Sequence, residues 1–342
     1  MRRRTPLSLL VKVNALLAGA IFLAASELSR AAESPVAIAV ASQPIASFEI
    51  FNPSRRQFGP FDFRGGLVLR SGFRHFGGFS GMRIADDGAR FIAVSDKGWW
   101  LRGRILYDQG RPAGIEDAEM APMLGADGRP LAARGWYDAE SIAQDADGML
   151  YVGIERAHQI VRFDYARDGL LARGHPIAVP AAIRSLPRNK GLEALVFAPH
   201  GSDLAGALVA ISERGLDGAG NINAFLIGGP KPGGFTVKRT ADYDVSDGAL
   251  LPAGDLLLLE RKFNWTSGLG MRIRRIAMAA IMPGALVDGP VLLEADMRDE
   301  IDNMEGISIH RGAGGEIVLT LISDDNFSLL QRTLLLQFAL VE

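Results

Sequence analysis

Carboxylates recur along this chain in matched pairs. Glu140 and Glu155, Glu193 and Glu213, Asp247 and Glu260, and Glu305 and Asp324 each sit in the same local context, and Ser80 with Asp96 forms a fifth copy. The first member opens a short apolar run, as in Glu140-Ser141-Ile142 or Glu193-Ala194-Leu195, and the second closes the next run. Lys97, Arg156, Arg214 and Arg261 each follow the second acid directly. Acids gathered in this way raise one another's pKa unless cations intervene, so they suit a hard divalent cation, calcium above all, or general acid–base work. The other reading is that each acid pairs with a neighbouring arginine in a structural network.

The elements that must position these residues are strands. The two acidic positions flank a turn such as Asp145-Ala146-Asp147-Gly148 or Pro252-Ala253-Gly254, and a third apolar run follows, for example Gln159-Ile160-Val161-Arg162-Phe163. In an antiparallel hairpin the start of one strand and the end of the next lie together, opposite the turn. A unit of about 50–60 residues with several strands predicts an all-β β-propeller, whose blades bury both faces by stacking in a ring. Five units are visible, and residues 36–70 supply strands for a sixth, so a six-bladed ring is expected. The run Leu334–Phe338 should pair with N-terminal strands to close it. A β-sandwich is the other architecture compatible with the strand spacing. Propeller geometry then places all the acids on one face, around one axis.

The same geometry sorts the remaining candidates. Trp99, Trp100 and Trp265 follow second strands, and Trp136 precedes Glu140, so all four tryptophans fall on the acidic face. They either grip an apolar or ring-bearing ligand or pack loops together. Lys190, Arg188 and Lys262 are on the same side, with Arg156, Arg214 and Arg261 after the acids, and offer contacts to an anionic substrate. Among the carboxylates Glu193, Glu305 and Glu140 are candidates to activate water, and His158 is the candidate imidazole acid or base. Gly77-Gly78-Phe79-Ser80-Gly81 does not match the GxSxG elbow of an esterase, and Ser80 reads as the first-unit counterpart of Glu140.

Composition narrows the chemistry further. The 342 residues include 40 Gly and 17 Pro but no Cys, which excludes disulfides, thiolate metal sites and a thiol nucleophile. Residues 1–31 read as an export signal: a basic start at Arg2, Arg3, Arg4 and Lys12, an apolar run from Ala15 to Ala25, and small residues at Ser29-Arg30-Ala31. Residues 32–342 then form one domain with more acids than bases. This points to a periplasmic or secreted protein that is not a nucleic-acid binder, has no stable membrane span in its mature form, and acts on a small molecule as a monomer.

Several motifs resemble a known family. Phe76-Gly77-Gly78-Phe79-Ser80-Gly81-Met82, Val94-Ser95-Asp96-Lys97-Gly98, Asp138-Ala139-Glu140-Ser141-Ile142 and Asn189-Lys190-Gly191-Leu192-Glu193 are similar to the phytase-like family described as "esterase-like activity of phytase". Leu258-Leu259-Glu260-Arg261, Asn303-Met304-Glu305-Gly306 and Ser323-Asp324-Asp325-Asn326-Phe327 carry the likeness to the C-terminus. The resemblance implies site roles for Asp96, Glu140, Glu155, Asn189, Glu193, Glu213, Glu260, Glu305, Asp324, Asp325 and Asn326. It implies metal-assisted hydrolysis of phosphate or related esters, with the acids as metal ligands. A non-catalytic metal- and ligand-binding propeller and a lactonase-type propeller hydrolase are the alternatives. The fourth unit departs from the pattern, with Ser246-Asp247-Gly248 where its neighbours carry Glu.

Overall fold

The computed structural model describes residues 34–266 and 268–341; the expected export signal lies outside them. Five sheets surround one axis. Their innermost strands are Phe79–Ile84, Ala139–Gln144, Leu192–Phe197, Asp244–Leu250 and Asn303–Arg311, and each is followed by antiparallel strands running outward. Among the described residues no helix is long and apolar enough to cross a membrane.

Strand alternation explains the ring. In Leu256–Asn264, Leu256 and Leu258 pack with the third blade's Val196 and Val209. Leu257 and Leu259 point the other way, into a cluster with Ile307, Leu319 and Leu336 of the fifth blade. A strand apolar on both faces is therefore read out as two interfaces. Five apolar clusters fill the five junctions between neighbouring blades, including Val94 against Ile142, Ile160 against Leu195, and Leu335 against Met82.

The ring has five blades, not six. The fifth unit has three strands of its own, and the last of these, Thr333–Leu340, is buried along its whole length. Its outer edge would otherwise carry unpaired backbone groups. Phe61–Arg70 satisfies that edge, pairing Leu69 with Thr333 and Val68 with Leu334, and Ala41–Ile45 pairs outside it. Val36–Ala37 continues to the edge of the first blade, against Met120 and Glu119. The segment expected to build a sixth blade is thus consumed in closing the fifth. The expected pairing of the C-terminal run with N-terminal strands is present.

Each innermost strand contains a register slip at one residue: Ser80, Glu140, Glu193, Ser246 and Glu305. Such a bulge leaves one residue unpaired and re-aims its side chain. The positions two residues earlier meet the second strand as Gly78–Asp96, Asp138–Glu155, Gly191–Glu213, Asp244–Arg261 and Asn303–Asp324. This pairing fixes which residues are equivalent. Asp247 is therefore one residue beyond the bulge, and Glu260 one residue short of the acidic position.

Candidate functional site

The bulges and the second-strand ends meet in one cleft of about 590 Å³ on the face opposite the turns. Asp96, Asp138, Glu140, Glu155, Glu193, Glu213, Glu305 and Asp324 line it, against Arg156, Lys190 and Arg261. Eight carboxylates thus face three cations. Asn189 and Asn326 line it as well, both in left-handed backbone conformations that turn the loops inward. The approach of the first blade depends on Gly77 and Gly78. Gly77 has φ +132°, and a Cβ there would lie 2.6 Å from Asp325 Oδ1; one at Gly78 would strike Asp96.

The acids differ sharply in how they are satisfied. Glu213 accepts from Lys190 Nζ at 2.6 Å, and Glu155 accepts from the Gly191 amide at 2.7 Å. Glu305 Oε1 accepts from Asn303 at 2.8 Å, while its Oε2, 3.1 Å from Arg261 Nε, lacks a hydrogen bond. Glu193 is 4% exposed and makes no side-chain hydrogen bond among the described residues, with Arg261 the cation that acts on its charge. Burial raises its pKa well above the ordinary carboxylate range, reinforced by Glu140 and Glu213. Glu140 is raised in the same way by burial and by Glu305. Burial, offset in part by Arg261, brings Glu305 to about 8, and burial brings Asp324 to about 7. An unpartnered buried carboxylate is costly when ionised, so it stays protonated or takes a cation.

Two groups of side-chain oxygens approach closely enough to share an ion. Glu155, Glu193 and Glu213 offer ligand atoms within 4.8 Å of one another, and Asp138, Glu140 and Glu155 do the same. An all-carboxylate donor set fits a hard divalent cation. The specific signs of that fit are Glu193, which makes no side-chain hydrogen bond within its group, and the unpartnered Glu305 Oε2 across the cleft.

Arg261 is the exception in the ring. It occupies the second-strand position that carries an acid in the other four blades, and reaches Glu213 at 3.4 Å and Asn303 Oδ1 at 3.0 Å. The acidic cluster therefore raises its pKa further despite burial. Ser246 takes the fourth bulge and donates to the Met304 carbonyl at 3.0 Å. The fourth blade thus lacks both acids, and a guanidinium projects where one would stand.

Several sequence candidates lie elsewhere. Glu260 is fully buried between strands, bonded to Arg272 at 2.7 Å and Arg274 at 2.6 Å, because alternation turns it away from the axis. Asp247 is also fully buried and meets Arg83 at 3.0 Å. Arg83 in turn donates to the carbonyls of Leu195 and Ile307, so one ion pair ties four inner strands together beneath the cleft. Asp325 accepts from the Gly78 and Phe327 amides and from Thr333, which makes it a loop brace. Arg214 is bound to Asp244. His158 ends the short turn Glu155–Ala157 outside the cleft lining, with Nδ1 unpartnered, and burial together with Arg188 lowers its pKa.

The tryptophans divide. Trp100 is a core residue packed edge-on against Phe163 at 5.0 Å, so it cannot grip a ligand. Trp99 stacks on His75 at 4.0 Å, and Trp136 packs against the core between the first and second blades. Trp265 alone stands clear of the surface. Sequence reasoning did not single out Asp138, Asn303, Gln331, Phe263 and Leu269 as site residues, yet all line the cleft. Asp138 and Asn303 each stand two residues before a bulged Glu, a recurring offset visible in Asp138-Ala139-Glu140 and Asn303-Met304-Glu305.

Residues 74–327 match the phytase-like family, whose description is esterase-like activity of phytase. No curated protein matches the chain. Among solved structures, U3-55K is 10% identical, with 80% of this chain and 98% of that chain covered and a TM-score of 0.42. Virginiamycin B lyase from Staphylococcus aureus is 13% identical, with 77% and 84% covered and a TM-score of 0.38.

Proposed function

This chain belongs to the phytase-like family, and from that premise we propose that the mature protein is an exported hydrolase of phosphate or related esters that works with a divalent cation, calcium by preference. The observation that carries this reading is the close grouping of buried Glu193 with Glu155 and Glu213 in a cleft dominated by carboxylates. Glu155, Glu193 and Glu213 would hold the cation, with Asp138 and Glu140 as a second group sharing Glu155. When bound, it would supply charge neutralisation for the ester's oxygens.

The chain's own groups account for the remaining roles. Lys190, Arg156 and Arg261 orient an anionic head. Glu305, with a pKa of about 8, holds a proton at neutral pH that it can deliver to a leaving oxygen. Glu140 is the candidate to accept a proton from water, once a cation offsets its burial. The test is calcium-dependent turnover across a panel of phosphodiesters and carboxylic esters, abolished by Glu193→Gln. Absence of turnover with calcium supplied would defeat the reading.

One observation favours a second reading, a propeller that binds a metal and a ligand without chemistry. Arg261 already lies against Glu213 and Glu305, as a permanent cation in a binding network would. A ligand that raises the Tm and is never converted would support that reading.

A further inference from the structure

The charged and apolar linings of the cleft are segregated, and we propose that its ligand is a small amphiphile. Its anionic head lies over the carboxylate–cation floor, and its apolar arm lies against the rim of the fourth and fifth blades. The proposal rests on the reading that the cleft takes an anionic head together with a divalent cation.

Phe263 and Leu269 are register partners in the fourth blade's hairpin, and both line the cleft. Trp265 extends this wall outward: it is 93% exposed and meets Phe263 edge-on at 5.1 Å. The neighbouring loop of the fifth blade behaves alike. Asn326 and Gln331 line the cleft, and between them Leu329 and Leu330 are 104% and 94% exposed. Two independent loops therefore hold large apolar side chains in water at the border of one charged cleft.

Single exposed apolar residues are ordinary, but a group rimming a concave site marks what that site contacts. The residues of the wall belong to the cleft as well as to the rim, so one molecule can touch both. A wholly polar ligand such as a polyol phosphate would leave Trp265, Leu329 and Leu330 in water, whereas an alkyl or aryl arm removes them from it. A volume of about 590 Å³ suits a small molecule.

Methylphosphonate and hexylphosphonate share a head and cannot be hydrolysed, so calorimetric titration of both in calcium separates binding from catalysis. Hexylphosphonate should bind about tenfold or more tightly. Trp265→Ala combined with Leu330→Ala should erase most of that gain, while Phe51→Ala, at an exposed site away from the cleft, should keep it. Equal affinity for the two probes, or a gain that survives the double substitution, overturns the proposal and leaves the reading of the head intact. Binding of neither probe overturns both.

Discussion

Arg261 Nε lies 3.1 Å from Glu305 Oε2 and stands at the position that carries Asp96, Glu155, Glu213 and Asp324 in the other blades. The ring of acids is thus closed by its own counter-ion. Arg261→Gln should destabilise the metal-free protein, and more strongly as the pH rises toward 8 and Glu305 ionises. Calcium should restore much of the lost Tm. Thermal melts with and without calcium check both points, and an unchanged metal-free Tm would contradict the counter-ion role.

Glu193 and Glu260 should respond oppositely to the same change. Glu260→Gln leaves Arg272 without its carboxylate and Arg274 with Asp288 alone, and should cost about 3–5 kcal/mol with calcium affinity unchanged. Glu193→Gln removes a carboxyl whose charged form burial already disfavours, so the metal-free Tm should hold or rise while calcium affinity falls. Chemical denaturation paired with calcium titration separates the two.

The raised carboxyls set a direction for pH. Asp324 at about 7 and Glu305 at about 8 hold protons in the folded state that the unfolded chain has already released. Where the folded state binds more protons, stability falls as pH rises. The contribution of these groups is therefore greatest below about pH 4 and is lost progressively up to about pH 8. In chelator, the Tm decline between pH 5 and 8 should be shallower in Glu305→Gln than in the native sequence. Parallel slopes would refute the assignment.

Arg83 ties the inner strands through Asp247 and the carbonyls of Leu195, Gly248 and Ile307. Arg83→Met leaves the buried Asp247 with backbone amide donors alone, and should cost about 3–5 kcal/mol. Adding Asp247→Asn should recover part of that loss. A double variant no more stable than Arg83→Met would show that the backbone contacts, not the ion pair, dominate. Equilibrium unfolding in urea decides this.

Much of the cleft was legible because the propeller repeats its chemistry. The recurring pairs Glu140/Glu155 and Glu193/Glu213 marked strand ends, and hairpin geometry put them together. The fourth blade was misread because both Asp247 and Glu260 are acids one residue out of phase. A period of two makes that single step the difference between a cleft and a buried interface. The bulge that fixes the phase is a property of pairing, and no residue type announces it. The blade count failed for a related reason: Phe61–Arg70 has the composition of any blade strand. Only the unpaired edge of Thr333–Leu340 shows where it must go. Trp100 and Trp265 carry identical side chains at similar points of their blades, yet one fills a junction and the other faces water.

The central claim is that these carboxylates are arranged for a divalent cation, with Glu193 awaiting one. Isothermal titration of chelator-stripped protein with calcium tests it most directly, comparing the native sequence with Glu193→Gln. The account predicts saturable binding that releases protons at neutral pH, weakened by about tenfold or more in the variant. No binding by the native protein, or equal binding by both, would contradict it.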